Sequence, residues 1–338
     1  MLSFLLRSIL FVLLLAAGLW LYVAWYVSTP LTSKTLPVEV EIPQGARFRD
    51  AVTLIERAGI DTGGLRFELL ARALNRAQAI KAGSYEFNRA LTPLELLDKL
   101  TRGDVQQAEL RFAEGWTLRQ VRQAIDASSH LRHDSSGMDE DALRAAIGVT
   151  EPRLEGLLFP DTYLFAKGSS DVAVLRRAYR AMQRHLAAEW TARDPDLPYQ
   201  TPYEALIMAS IVEKETGQAI ERDLIAGALV NRLRIGMRLQ ADPTVIYGLG
   251  EAFDGNLKKV HLLTDGPYNT YTRPGLPPTP IAIPGLASLR AALQPAETDA
   301  LYYVARGDGS SQFSRTLEEH NRAVNKYQRL PARRRVER

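Results

Sequence analysis

Apolar residues follow three rhythms along this chain, and each rhythm predicts a different kind of element. The first is an unbroken run. No charged residue occurs from Ser8 to Ser33, and Ile9 to Val27 is almost wholly apolar. At about 1.5 Å per residue that run matches the hydrocarbon thickness of a bilayer, so residues 8–27 are expected to form a transmembrane helix. Trp20, Tyr22, Trp25 and Tyr26 crowd its far end, where aromatic rings favour the membrane interface. A cleaved signal peptide with Ala16-Ala17-Gly18 as its small-residue site is the rival reading. The apolar run continues well past that site, which favours a retained anchor, residues 1–7 inside and everything after Pro30 outside.

The second rhythm has period two. Val38-Glu39-Val40-Glu41-Ile42 and Ala82 to Phe87 read as strands, and Leu301 to Ala305 with Ser311 to Phe313 reads as a hairpin about Gly307-Asp308-Gly309. The third is helical. Phe48, Ala51, Val52, Leu54 and Ile55 share one helix face that ends near Gly59, and residues 65–74, 171–190, 203–216, 221–233 and 317–330 continue the pattern. Thr92-Pro93-Leu94-Glu95 has the spacing of a capping box with proline in the first turn. Residues 40–48 and 110–118 share a strand–Gly turn–helix plan, either an internal duplication or two ordinary units. His130 to Glu140 reads as a polar loop, and residues 243–284 as a long irregular segment of the kind that forms binding surfaces. Strands and helices are mixed without regular alternation, which predicts an α+β fold. The expected organisation is a linker at 28–35, a small α/β module at 36–104, a larger mixed α+β domain at 105–332 and a basic tail at 333–338.

Composition removes several classes of function. The net charge of +3, from 42 basic and 39 acidic residues, is too balanced for a nucleic-acid-binding surface. With no cysteine, disulfides, thiolate metal sites and a cysteine nucleophile are excluded. His130 and His133 in a polar loop make a poor metal site, and neither H-E-x-x-H nor G-x-S-x-G occurs. Gly248-Leu249-Gly250 lacks the third glycine of a dinucleotide loop. No metal and no cofactor is expected.

Acid chemistry is what remains. In Ala209-Ser210-Ile211-Val212-Glu213-Lys214-Glu215-Thr216, two carboxylates close an apolar helix. Counting back from Glu215 by three, four and seven reaches Val212, Ile211 and Met208, so Glu215 extends an apolar stripe. A carboxyl there loses hydration and stays neutral to higher pH, as protonation of a glycosidic oxygen requires. The plainer reading makes Glu213, Lys214 and Glu215 the polar end of a buried helix, and spacing separates the two glutamates weakly.

That octapeptide, with Asn231-Arg232-Leu233, Gly236 to Gln240, Asp242 to Gly248, Tyr268-Asn269-Thr270-Tyr271, Gly275-Leu276-Pro277-Pro278, Pro284-Gly285, Phe313 and His320-Asn321, resembles the endolytic murein transglycosylase family, MltG (YceG-like). Glu155-Gly156 and Phe159-Pro160-Asp161-Thr162-Tyr163 fit as well, while Ile283 stands where asparagine is expected in many relatives. The resemblance implies a peptidoglycan lytic transglycosylase on the inner membrane with its catalytic domain in the periplasm. It places the catalytic glutamate at Glu215 and makes the small module LysM-like. Gln240, Asp242, Tyr247, Tyr268, Asn269 and Tyr271 are candidates for lining a glycan cleft, since aromatic faces suit sugar rings and amides suit hydroxyl and acetamido groups. Two alternatives are a muramidase-type hydrolase, with Asp242 or Asp161 as second carboxylate, and a non-catalytic membrane-tethered scaffold. A short tether to the membrane implies cleavage of nascent glycan strands, close to wall synthases.

Overall fold

The apolar run forms one helix, α1 (Leu2–Ser28), of which Leu6 to Ser28 is long and apolar enough to cross a membrane. The computed structural model describes residues 2–43, 45–215 and 218–329, and the chain falls into two units. The first takes residues 1–109 with short pieces at 130–132 and 164–169; the second takes the rest.

In the first unit α1 is followed by β1 (Thr32–Ser33), β2 (Val38–Ile42), α2 (Phe48–Arg57), β3 (Ile60–Asp61), α3 (Leu65–Ala73), β4 (Gly83–Phe87) and α4 (Pro93–Arg102). Val38, Val40 and Ile42 are buried while Glu39 and Glu41 face out, so the period-two pattern becomes an inner and an outer face. β2 pairs antiparallel with β4, Val38 opposite Phe87 and Ile42 opposite Gly83. Ile55, Phe67, Tyr85, Phe87, Leu97 and Leu100 complete the core. Thr92 Oγ1 accepts from the Glu95 N–H (3.3 Å) and Glu95 Oε2 from the Thr92 N–H (2.9 Å), a capping box that stabilises the start of α4 by about 1 kcal/mol.

The segment expected to be a linker is drawn into this unit. Leu31 is buried in the core, its N–H donates to the Leu91 carbonyl at 2.8 Å, and β1 pairs antiparallel with β3. The polar composition around Leu31 conceals one apolar side chain with a place inside. Gln44 of the Pro43-Gln44-Gly45 turn lies outside the described residues.

Of the strands that follow, β5 (Gln107–Arg111), β7 (Thr162–Ala166) and β8 (Ser169–Ser170) each have residues in both units and β6 (Leu131–Arg132) belongs to the first, while the second unit holds α5 (Leu118–Asp126), α6 (Glu140–Ile147), α7 (Asp171–Thr191), α8 (Pro202–Glu215) and α9 (Arg222–Arg234). α10 (Asp242–Leu249), α11 (Lys259–Leu263), α12 (Leu286–Leu293), the antiparallel hairpin β9 (Tyr302–Ala305) and β10 (Ser311–Ser314), and α13 (Leu317–Val324) complete it. α8 is buried on every side from Ala205 to Val212, and α7, α9, α10 and α12 pack around it. A helix apolar all round belongs at the centre of a domain, and this one delivers its polar end to the site.

The segment expected to be irregular, 243–284, contains α10 and α11. Both are short, and α10 opens on Asp242-Pro243, whose proline suits the first helical turn but reads in sequence as punctuation. The apolar spacing predicts a last helix reaching Leu330; α13 ends at Val324 and passes into a wider turn over Asn325–Arg329. Leu330 and the basic tail at 333–338 lie outside the described residues.

Candidate active site

Successive helical residues are about 100° apart, so Glu213 and Glu215 leave the end of α8 in nearly opposite directions. Glu213 turns to α12. Its Oε2 accepts from the Gly285 N–H at 2.9 Å and from Ser288 Oγ at 2.7 Å, so the carboxylate satisfies donors at the start of that helix. Glu213 is therefore a structural link between two core helices. Lys214 between them donates to the Gly115 carbonyl at 3.2 Å.

Glu215 turns to a different company. Tyr303 of β9 hydrogen-bonds its carboxyl, and Asp242 and Arg232 lie within Coulombic reach. Burial pushes the Glu215 carboxyl up to about 7; the Tyr303 hydrogen bond opposes that shift, the Asp242 charge adds to it, and the Arg232 charge opposes it. Tyr303 is itself held protonated, first by burial and then by Glu215, so it is the donor. Arg232 is buried, and its guanidinium donates to the Leu301 carbonyl (Nε, 2.6 Å) and the Leu239 carbonyl (Nη1). It also lies 5.5 Å from the Tyr302 ring centre and 5.9 Å from that of Tyr303, which keeps β9 against the end of α8. A neutral acid partly shielded from water beside a fixed positive charge can both give a proton and live as an anion afterwards.

Lys214, next to Glu215 in sequence, and Pro243, next to Asp242, line a cleft of about 730 Å³ that Arg119, Arg153, Glu155, Tyr247, Phe253 and Tyr268 also border; Glu215 itself is not in its lining. That is ample for a sugar residue with its substituents. Tyr247 and Tyr268 meet edge to face at 4.8 Å, giving the wall two aromatic surfaces. Glu155 is buried and accepts from the Leu118 N–H (2.9 Å) at the start of α5 and from the Tyr247 hydroxyl (3.1 Å). Burial raises its carboxyl to about 7 against those two hydrogen bonds. The next residue, Gly156, has φ +79°, and a Cβ there would stand 2.3 Å from Pro280 Cβ. Only glycine permits the close approach that fixes Glu155 in the cleft.

The residues expected from sequence do not all meet at one place. Asp242 and Tyr271 come together with Glu215, the Tyr271 hydroxyl donating to Asp242 Oδ1 at 2.5 Å. Tyr247 and Tyr268 line the neighbouring cleft, and Tyr268 shares a hydrogen bond with Thr279 Oγ1 at 2.8 Å. Gln240 is exposed two positions before Asp242 with φ +49°, a left-handed conformation that a non-glycine residue adopts at some cost. Asn269 is buried, and its amide donates to the carbonyls of His261, Leu262 and Thr264 while its Oδ1 accepts from the Tyr271 N–H. Its side chain shapes the loop that carries Tyr268 and Tyr271. Thr216 lies outside the described residues.

Tyr303 carries no functional signal in the sequence, and Arg232 stands there only within the Asn231-Arg232-Leu233 motif, with no role at the site. Tyr303 reads there as one residue of a half-buried hairpin strand, and Arg232 as part of a helix; only the packing of β9 on α9 joins them. His320 stacks on Tyr302 with ring centres 5.2 Å apart, and Phe159 stacks on His185 at 4.1 Å, which makes the Phe159–Tyr163 stretch a packed corner. Ile283 is fully buried, and its backbone exchanges hydrogen bonds with Gly115 and Trp116.

The sequence profile of the YceG-like family matches residues 40–326. An endolytic murein transglycosylase of Bacillus subtilis (strain 168) is 31% identical over 312 residues, covering 87% of this chain and 86% of that protein. A protein of the same name from Streptococcus pneumoniae (serotype 2, strain D39) is 28% identical over 366 residues; the match takes in 95% of this chain and 64% of that longer protein. Among solved structures, a YceG-like protein from Listeria monocytogenes superimposes with a TM-score of 0.53 at 32% identity, covering 85% of this chain and 98% of that one.

Proposed function

Since this chain belongs to the YceG-like family, we propose that it is an endolytic murein lytic transglycosylase in which Glu215 serves as both acid and base. The observation that carries the reading is the desolvated carboxyl of Glu215 at the end of a buried helix, neutral up to about pH 7 and faced by Tyr303 and Arg232.

The chemistry follows from one proton moving out and another moving back. Glu215 protonates the oxygen that joins N-acetylmuramic acid to N-acetylglucosamine. The bond from that oxygen to the muramoyl anomeric carbon breaks, its electron pair leaves with the oxygen, and positive charge develops on the sugar. The ionised carboxylate, now stabilised by the Tyr303 hydroxyl and the Arg232 charge, accepts the proton of the sugar's own C6 hydroxyl as O6 bonds to the anomeric carbon. The product is a 1,6-anhydromuramoyl end, no water is consumed, and Glu215 is neutral again. A single carboxyl suffices, unlike the pair that ordinary glycosidases use.

Asp242 supports a second reading, because it stands within reach of Glu215 and accepts from Tyr271. As a base it would direct water to the anomeric carbon and make the protein a muramidase. Digestion of peptidoglycan by the purified protein, followed by product masses, separates the two: anhydro ends are expected, and reducing ends would overturn the transglycosylase reading.

Tyr303→Phe gives a sharper expectation. Protonated Glu215 is the competent form, so kcat/KM falls as pH rises through about 7. The lost hydroxyl had favoured the ionised form, so the variant's alkaline limb moves to higher pH. A pH–rate profile that stays in place or moves down contradicts this role for Tyr303.

The remaining assignments belong to the same proposal. Residues 36–104 form a LysM-like glycan-binding module and residues 105–332 the catalytic domain. α1 anchors the chain in the inner membrane with its N-terminus inside and the rest in the periplasm, where cleavage near wall synthases ends the growth of nascent strands.

A further inference from the structure

The outward face of α3 sets two large apolar side chains among the exposed arginines Arg66 and Arg72. Leu65 and Leu69, one turn apart, are 65% and 56% exposed, while Phe67 and Ala71 on the other face are buried. The end of α1 stands beside that turn. The Tyr26 hydroxyl donates to the Thr62 carbonyl at 2.7 Å, and the Arg66 guanidinium lies 5.5 Å from the Tyr26 ring centre and 3.5 Å from the Tyr22 hydroxyl. Tyr22 is one turn, about 6 Å, further down α1 than Tyr26. The start of α3 therefore hangs level with the aromatic residues Tyr22, Trp25 and Tyr26, which mark the headgroup region of a spanning helix.

Nothing in the connection lets α3 swing away from this level. Leu31 is packed into the core, β1 is paired with β3, and α4 packs against α1, so the helix enters the module without a free joint. We propose that α3 is a membrane-contact helix: Leu65 and Leu69 enter the boundary between acyl chains and headgroups of the leaflet from which α1 emerges, and Arg66 meets lipid phosphates. The occupant of this face is the lipid surface, because the apolar residues sit at the depth where the adjoining helix leaves the hydrocarbon. The inference rests on α1 spanning the bilayer. It makes the height of the first unit above the membrane a property of the fold and not of a flexible tether.

The chain has no cysteine, so single labels are clean. The full chain carrying Leu65→Cys or Leu69→Cys is labelled with a nitroxide and reconstituted into vesicles of phosphatidylethanolamine and phosphatidylglycerol, with Leu14→Cys marking the middle of α1. Collision rates with oxygen, which concentrates in lipid, are compared with those of a water-soluble nickel chelate. The oxygen-to-nickel ratio at both leucine positions is expected several-fold above that of a free nitroxide in water, between the water value and that of Leu14→Cys. Water-like ratios at both, with a lipid-like ratio at Leu14→Cys, would overturn the proposal and leave the anchor standing. A water-like ratio at Leu14→Cys would remove the anchor and the proposal together. Both leucines are exposed, so labelling them leaves the core untouched.

Discussion

Glu215→Gln lowers the rate of glycan cleavage by about 10²- to 10⁴-fold, the range that a positioned general acid contributes. The amide keeps the shape of the side chain and cannot give the proton. The same substitution stabilises the protein at alkaline pH. The Glu215 carboxyl has a folded-state pKa near 7, above the value of 4.5 it has in an unfolded chain. Between those values the folded state binds more protons than the unfolded state, so stability falls as pH rises from 4.5 to 7. Over that interval the group costs up to about 3 kcal/mol, which glutamine does not. Urea unfolding at pH 5 and pH 8 measures it: the wild type loses more stability than the variant on going to pH 8. An inactive variant with the wild-type pH dependence of stability would mean that Glu215 is not held in its neutral form.

Gly156→Ala damages both fold and cleft. The added methyl would meet Pro280 at 2.3 Å, and φ +79° is unfavourable for any residue with a Cβ. Left-handed strain contributes roughly 1 to 2 kcal/mol and overpacking roughly 1 to 3, so a loss of about 2 to 5 kcal/mol is expected in urea unfolding. Surviving folded protein carries Glu155 displaced from the Leu118 N–H and the Tyr247 hydroxyl, so its KM for glycan strands rises. Wild-type stability in this variant would mean that the turn at Glu155-Gly156 has room the structure does not give it.

How much of this was readable in advance depended on whether a feature is local. The strand over Val38 to Ile42, the capping box at Thr92 and Glu95, and the apolar helix ending in Glu215 were all legible, because each is decided by neighbours in sequence. Leu31 was not, because one apolar residue among Ser, Thr and Pro gives no period. α10 and α12 give no sequence signal for a related reason: eight residues with proline or glycine at the start carry too few turns to establish a rhythm. In the site, Glu215 was separated from Glu213 when α12 came to lie against one and β9 against the other. Tyr303 is 88 positions from Glu215 in sequence. No spacing rule joins the two, since the contact exists only after the hairpin packs on α9. Asn269 illustrates the reverse case, a polar residue in a motif whose hydrogen bonds all turn out to serve its own loop.

A carbon-13 titration of the glutamate carboxyls, with Glu215→Gln used to identify the signal, reads the protonation of Glu215 directly. A carboxyl that takes up its proton near pH 7 and is missing from the variant is the expected result. A Glu215 signal that titrates near 4.5 would contradict it, because a side chain already ionised at neutral pH has no proton to hand to the glycosidic oxygen.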